Sequence, residues 1–252
     1  GRGSSDHAGV FAKYLIEIEL GLPVVAAAPS IASVYHKQLQ LQDALVLVIS
    51  QSGRSPDILA QVAMAKNTGA LVVALVNDTT SPLAEQADFV VPLFVGPEKA
   101  VAATKSFITS LVAAARLVAH WEKNQELIQA IQNLPEVLDL ACQQDWSSAV
   151  ETLVKSEKLM VVGRGLGLSI AAEAALKLKE TCAVQAEAFS AAEIKHGPMA
   201  LIEQQYPLLI FAPRGPVQSS LVILAAEMRQ RGAKVILAAP PDITSRDLTL
   251  VN

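Results

Sequence analysis

The run Ala44-Leu45-Val46-Leu47-Val48-Ile49 is apolar at every position. It does not alternate, so neither face of the element it forms is suited to water. A strand buried on both faces of a parallel sheet satisfies that pattern. A hydroxyl-rich turn follows, Ser50-Gln51-Ser52-Gly53-Arg54-Ser55-Pro56-Asp57, and then Ile58-Leu59-Ala60-Gln61-Val62-Ala63-Met64-Ala65, which reads as a helix. The turn therefore stands at the carboxyl end of a strand and the N-terminus of a helix. Unpaired backbone N–H groups and the positive end of the helix dipole converge there and favour anions. Ser55 is a natural N-cap and Pro56 a natural first helical residue. Capping alone needs only Ser55; Ser50, Gln51 and Ser52 in addition point to a ligand with many oxygens, such as a phosphate. A plain polar turn with a good cap fits the local pattern equally well.

The rest of the chain agrees with buried strands covered by helices. Its 252 residues suit one large or two smaller domains, and 52% are hydrophobic while only 4% are aromatic. The net charge of −4 argues against a general nucleic-acid binder. Cys142 and Cys182 have no metal-ligand spacing and read as reduced thiols of a cytoplasmic protein. No apolar run reaches membrane-spanning length and no signal peptide is visible. Gly1-Arg2-Gly3-Ser4-Ser5 has the form of a turn after a strand, and Leu248-Thr249-Leu250-Val251-Asn252 begins a strand-like run. The sequence is therefore expected to be a segment truncated at both ends.

Landmarks recur at nearly constant spacing. Gly1-Arg2-Gly3 returns as Gly163-Arg164-Gly165, Gly53 as Gly215, and Gly69-Ala70 as Gly232-Ala233. The recurrence predicts two copies of one fold, over 1–133 and 134–252, each alternating strand and helix around a mostly parallel sheet. In the first copy the pattern predicts strands at 24–28, 44–49, 71–76 and 88–93, with helices at 7–20, 30–39, 56–68 and 81–86. In the second it predicts strands at 158–162, 207–212 and 234–238, helices at 168–180 and 217–231, and an ill-defined turn at 191–195. Between them, 101–133 reads as helical up to Pro135. A second helix at 135–155 carries Leu138, Cys142, Trp146, Ala149 and Leu153 at helical spacing. Where the first copy has its hydroxyl turn, the second has Ala212-Pro213-Arg214-Gly215-Pro216. The hydroxyls are gone and prolines have removed backbone donors. This asymmetry favours ligand binding at 50–55 over a purely structural turn.

The second half has its own polar groups. Glu173, Lys177 and Glu180 share one face of an otherwise apolar helix, as a partly enclosed cluster or as a surface salt-bridge ladder. His196 precedes a Gly-Pro turn in a polar stretch; it can move protons near neutral pH or stand solvated. His7, His36 and His120 lie on predicted helices without clustered partners, and no grouping has metal-ligand spacing.

Four motifs occur in order: Ser50-Gln51-Ser52-Gly53, Ala103-Thr104-Lys105-Ser106-Phe107, Glu173-Ala174-Ala175-Leu176-Lys177-Leu178-Lys179-Glu180 and Glu193-Ile194-Lys195-His196-Gly197-Pro198. Together they resemble the tandem sugar-isomerase (SIS) domain proteins, and among these the isomerase part of glucosamine-6-phosphate synthases. The resemblance runs from Gly3-Ser4-Ser5 nearly to the end of the sequence. It implies an α/β fold of two tandem SIS domains, each a three-layer α/β/α unit. It implies that Ser50, Gln51, Ser52 and Ser55 hold a hexose or hexosamine 6-phosphate; the family usually has Thr where Ser55 stands, and the hydroxyl is kept. Ser4, Ser5 and the backbone at Val101 are implied to contact the sugar. Glu180 is implied to shuttle a proton between C1 and C2, Lys177 to assist at their oxygens, and His196 to help open the ring. The family brings that histidine from the partner subunit of a homodimer. It also uses a lysine in a C-terminal tail, a role to which no residue of this sequence is assigned.

The implied chemistry is coherent. One carboxylate over two adjacent carbons can remove and return a proton, and an ammonium can stabilise the developing oxyanion. A phosphate anchor orients the non-reacting end. No metal or redox cofactor is expected. The leading expectation is a stand-alone deaminase converting glucosamine 6-phosphate to fructose 6-phosphate and ammonia. The alternatives are the isomerase part of a synthase, a deaminase or isomerase of galactosamine-type sugars, and a non-catalytic sugar-phosphate sensor.

Overall fold

A computed structural model describes residues 1–251, which divide into two compact units, Gly1–Ile128 and the chain from Gln129 onward. In the first unit, strands β1 (Leu45–Ser50), β2 (Leu71–Val76) and β3 (Phe89–Pro92) form a parallel sheet in the order β1-β2-β3. β1 and β2 are in full register, from Leu45 opposite Leu71 to Ser50 opposite Val76. Helices α1 (Ser4–Leu20), α2 (Ser30–Ser33), α3 (Pro56–Asn67), α4 (Pro82–Gln86) and α5 (Lys105–Glu122) complete the unit. Val48, Val72, Ala74 and Val76 of the sheet pack with Ile58, Val62 and Ala65 of α3 and with Leu83 of α4. α1 buries Ala8, Ala12, Leu15 and Ile16 and packs along α5.

In the second unit the helices are α7 (Ser147–Leu153), α8 (Leu166–Cys182), α9 (Ala191–Ile194) and α10 (Gln218–Gln230). Strands β4 (Lys158–Gly163), β5 (Gln185–Ser190), β6 (Pro207–Phe211), β7 (Lys234–Ala239) and β8 (Leu248–Thr249) form a parallel sheet in the order β5-β4-β6-β7-β8. Alternate residues of β4 enter two separate cores. Met160 and Val162 pack with Leu221, Leu224 and Met228 of α10, while Leu159 and Val161 pack with Ala171 and Ala175 of α8. Both faces of the sheet are covered, which is why β4, β6 and β7 read as apolar runs. α6 (Gln125–Cys142) crosses the division between the units.

Five sequence expectations are corrected. Residues 24–28 form no strand, because β1 pairs with β2 alone and leaves that stretch without a ladder partner. The helix expected at 30–39 stops at Ser33, and the chain turns at His36 with φ +50°. The helix expected over 101–133 begins only at Lys105 and breaks at Lys123, which is left-handed. The helix expected from Pro135 instead starts at Gln125 and runs through Pro135, the break falling before α7, where Asp145 accepts the Ser147 N–H. Residues 185–190, to which the sequence pattern assigned no element, form β5, paired with β4 from Gln185 opposite Lys158 to Ser190 opposite Gly163. The expected C-terminal strand is present as β8; Asn252 lies outside the described residues.

Candidate active site

The turn after β1 is fixed on several sides. Ser50, the last residue of the strand, accepts the Gly53 N–H on its hydroxyl at 3.0 Å. Gly53 has φ +63°, and a Cβ there would fall 2.1 Å from Ser81 Oγ, so the position admits only glycine. The Leu83 N–H donates to the Gly53 carbonyl and the Asp78 N–H to the Gln51 carbonyl, each at 3.2 Å. Gln51 donates its side-chain amide to the Glu98 backbone carbonyl at 3.4 Å. Ser52 is exposed, and its hydroxyl has no partner among the described residues. The backbone N–H groups of Ser52, Arg54 and Ser55 likewise have none there. The turn is rigidly held yet keeps its outward donors open, which is what an anion site requires.

Ser55 stands at the N-cap of α3 but does not cap with its side chain. Its hydroxyl donates to Asp57 Oδ1 at 2.5 Å, and the same oxygen accepts the Ile58 N–H at 3.0 Å. Arg2 grips the other oxygen, Oδ2, with Nε at 2.7 Å and with Nη2. The Ser55 hydroxyl, and after it Arg2, hold the Asp57 carboxyl below the usual carboxylate range. The Arg2 grip also ties the start of α1, with Ser4 and Ser5 half-buried, to the turn.

A strap over residues 94–104 adjoins the turn through the Gln51–Glu98 bond. Val101 lies on it, 94% exposed, its carbonyl accepting the Ala103 N–H. Glu98 anchors the strap: its carboxylate accepts the N–H groups of Thr104, Lys105 and Ser106 at 3.2, 3.0 and 2.8 Å. Burial raises its pKa, but the donors at Ser106, Thr104 and Lys105 outweigh that and bring it down to about 2. Lys105 returns its ammonium to the carbonyls of Val95 and Pro97.

In the second unit, Glu173, Lys177 and Glu180 line one face of α8, as their spacing predicts. Lys177 Nζ is 2.6 Å from Glu180 Oε2 and 3.4 Å from Glu173 Oε1. Glu173 is buried, while the side chains of Lys177 and Glu180 are 23% and 30% exposed. The cluster is therefore enclosed at its Glu173 end and open to solvent at Glu180. A carboxylate held against an ammonium in this way can exchange a proton with a carbon acid while the ammonium faces an oxygen gaining charge. His196 follows α9 and is exposed; no hydrogen bond or ion pair joins its side chain to this cluster. Among the described residues no group of three or more His, Cys, Asp or Glu is arranged to hold a metal ion, and no helix is long and apolar enough to cross a membrane.

Sequence reasoning passed over Arg2, Asp57 and Glu98 as parts of the site. Arg2 meets Asp57 across 55 residues, which no local pattern announces. Glu98 caps α5 from six to eight residues upstream, outside the spacing of a capping box.

The SIS-domain family model matches residues 1–119 and 152–240. A glutamine–fructose-6-phosphate aminotransferase (isomerizing) of Zymomonas mobilis is 35% identical over 246 residues, covering 93% of this chain and 40% of that protein. The chain thus spans about two fifths of the curated relatives it matches. Among solved structures, a proposed phosphosugar isomerase from Silicibacter pomeroyi superposes with a TM-score of 0.92 at 42% identity, over 100% of this chain and 76% of that one. The C-terminal domain of glucosamine-fructose-6-phosphate aminotransferase from Francisella tularensis superposes with a TM-score of 0.85 at 29% identity, over 99% and 75%. The motifs, the parallel α/β units and these matches agree: the chain belongs to the SIS-domain family and resembles the C-terminal, isomerase part of glutamine–fructose-6-phosphate aminotransferases.

Proposed function

We propose that this protein is a glucosamine-6-phosphate deaminase built from two tandem SIS domains, acting by aldose–ketose isomerisation. The observation that carries the reading is the Lys177–Glu180 pair at 2.6 Å beside buried Glu173. A sensor of sugar phosphates needs an anion turn but no such acid–base pair. Ser50, Gln51, Ser52 and Ser55 hold the phosphate, and Ser4, Ser5 and the Val101 backbone contact the sugar. His196, supplied by the partner subunit of a homodimer, opens the ring. Glu180 removes the proton from C2 of the open-chain amino aldose and returns it to C1, while Lys177 stabilises charge on the oxygen. The resulting C2 imine takes up water and releases ammonia, leaving fructose 6-phosphate. The tandem reading is supported by backbone geometry. Gly3 and Gly165, which open α1 and α8, have φ/ψ of 54/−128° and 59/−131°. Gly69 and Gly232 have φ of 88° and 89°.

A second reading is favoured by the 35% identity to aminotransferases: the chain would be the isomerase part of such a protein, running the reaction toward the amino sugar. Incubating purified full-length protein with glucosamine 6-phosphate decides the matter. Release of ammonia with fructose 6-phosphate supports the deaminase. Synthesis of glucosamine 6-phosphate from fructose 6-phosphate only with glutamine supports the second reading. Tight binding with no turnover in either direction sinks both and leaves the sensor.

A further inference from the structure

Both units carry the sequence Gly-Arg-Gly ahead of a helix, but the two arginines differ in what they do. Arg164, before α8, is exposed and makes no ion pair among the described residues. Arg2, before α1, is held at the polar turn by Asp57, through Nε at 2.7 Å and through Nη2, both to Oδ2. The turn that Arg164 could have served, at 212–217, has no hydroxyls. The engaged arginine thus accompanies the turn that carries hydroxyls.

The grip leaves Arg2 most of its capacity. A guanidinium has five N–H donors, and the two bonds to Asp57 use two of them. Meanwhile Asp57 is itself a problem for an anion site. It is a carboxylate in the first turn of α3 and it accepts the hydrogen bond of the Ser55 hydroxyl, a group the phosphate reading assigns to the ligand. A dianion arriving at the turn meets like charge unless a cation offsets it. Arg2 is the cation placed to do so, and its planar fork matches phosphate geometry. We propose that Arg2 is a phosphate-recognition residue: clamped by Asp57, it presents its remaining N–H donors to the ligand's phosphate and draws the Ser55 hydroxyl into the same role. The proposal rests on the reading of 50–55 as the phosphate turn.

The test titrates full-length wild type, Arg2→Gln, Arg2→Lys and Ser52→Ala by calorimetry with inorganic phosphate, glucosamine 6-phosphate and unphosphorylated glucosamine. Arg2→Gln is expected to weaken phosphate and sugar-phosphate binding about 10- to 100-fold, the range of a charge-assisted contact, and to leave glucosamine binding unchanged. Arg2→Lys, keeping charge but not the fork, is expected to fall between. Arg2→Gln binding phosphate like wild type, while Ser52→Ala is weakened, overturns the role of Arg2 alone. Both variants binding phosphate like wild type overturns the phosphate turn itself. Equal loss for phosphorylated and unphosphorylated sugar in Arg2→Gln marks a merely structural ion pair and also overturns the proposal.

Discussion

The turn after β1 and the turn after β6 solve the same connection with opposite chemistry. Each joins a buried parallel strand to a helix of similar length, 12 residues in α3 and 13 in α10. Each sends an arginine to an aspartate beyond the next strand, Arg54 to Asp78 and Arg214 to Asp242, both at 2.8 Å. There the likeness stops. The first turn has Ser50 folded onto Gly53, and Ser81 packed where a Cβ would go. The second has prolines at 213 and 216, and Gly215 with open space around it. The Arg–Asp pair is common to both and so belongs to the scaffold. The hydroxyls and the tightly packed glycine are particular to the first, and they are what the proposed phosphate site would use.

The sharpest test separates anchoring from chemistry. If the first turn only anchors, a change on α8 should abolish turnover and spare binding. Glu180→Gln is expected to lower kcat by about 10³-fold, in the range for loss of a general base, with the Kd for glucosamine 6-phosphate nearly unchanged. Turnover at the wild-type rate would show that the proton shuttle lies elsewhere.

Much of this contrast was legible in the sequence. The apolar runs at 44–49 and 71–76 predicted buried strands, and strands stand at 45–50 and 71–76, although β1 is fully buried only at Val48 and Ile49; Pro213 and Pro216 remove two backbone donors from the second turn. The spacing of Glu173, Lys177 and Glu180 placed them on one face before any coordinates. What was hidden depended on partners distant in sequence. The apolar stretch at 24–28 has strand composition but no neighbour to pair with, whereas 185–190, with Glu187 in its middle, becomes a strand because β4 accepts it. Ser55 looks like a cap until its hydroxyl is seen donating to Asp57 instead. Glu98 looks like a loop charge until three N–H groups of α5 converge on it.

Gly53 and Gly215 give the next largest difference. Gly53→Ala combines left-handed backbone with a clash against Ser81, and is expected to cost about 2–5 kcal/mol from strain and overpacking together. Gly215→Ala meets no neighbour and carries only backbone strain, about 1–2 kcal/mol. Thermal melts of the two variants check the order; equal losses would mean the first turn is not the tighter of the two.

Ser52→Ala comes next in size. Its hydroxyl supports nothing in the fold, so stability should not change, while KM for a phosphorylated sugar should rise about tenfold. An equal rise for the unphosphorylated sugar would contradict a phosphate contact. The Glu98 clasp, which the strap gives to the first turn alone, shows in acid. Its folded pKa of about 2 lies below the ordinary 4.5, so its stabilisation is complete above pH 4.5 and drains away as pH falls from there toward 2. Denaturant melts of wild type and Glu98→Gln should therefore differ at neutral pH and converge in that window.

The smallest effect expected is at the feature the two turns share. The Arg214–Asp242 pair has side chains 55% and 51% exposed, and the Arg54–Asp78 pair 57% and 32%. Ion pairs in such solvent are worth roughly 0–1 kcal/mol, so Arg214→Gln and Arg54→Gln should each shift stability by no more than that, and by similar amounts. Arg214→Gln should in addition leave sugar-phosphate binding where it was, because the second turn offers no hydroxyl donors for an anion. If Arg214→Gln weakened phosphate binding as Ser52→Ala does, the proline turn would also be an anion site, and the division of labour between the two turns would fail.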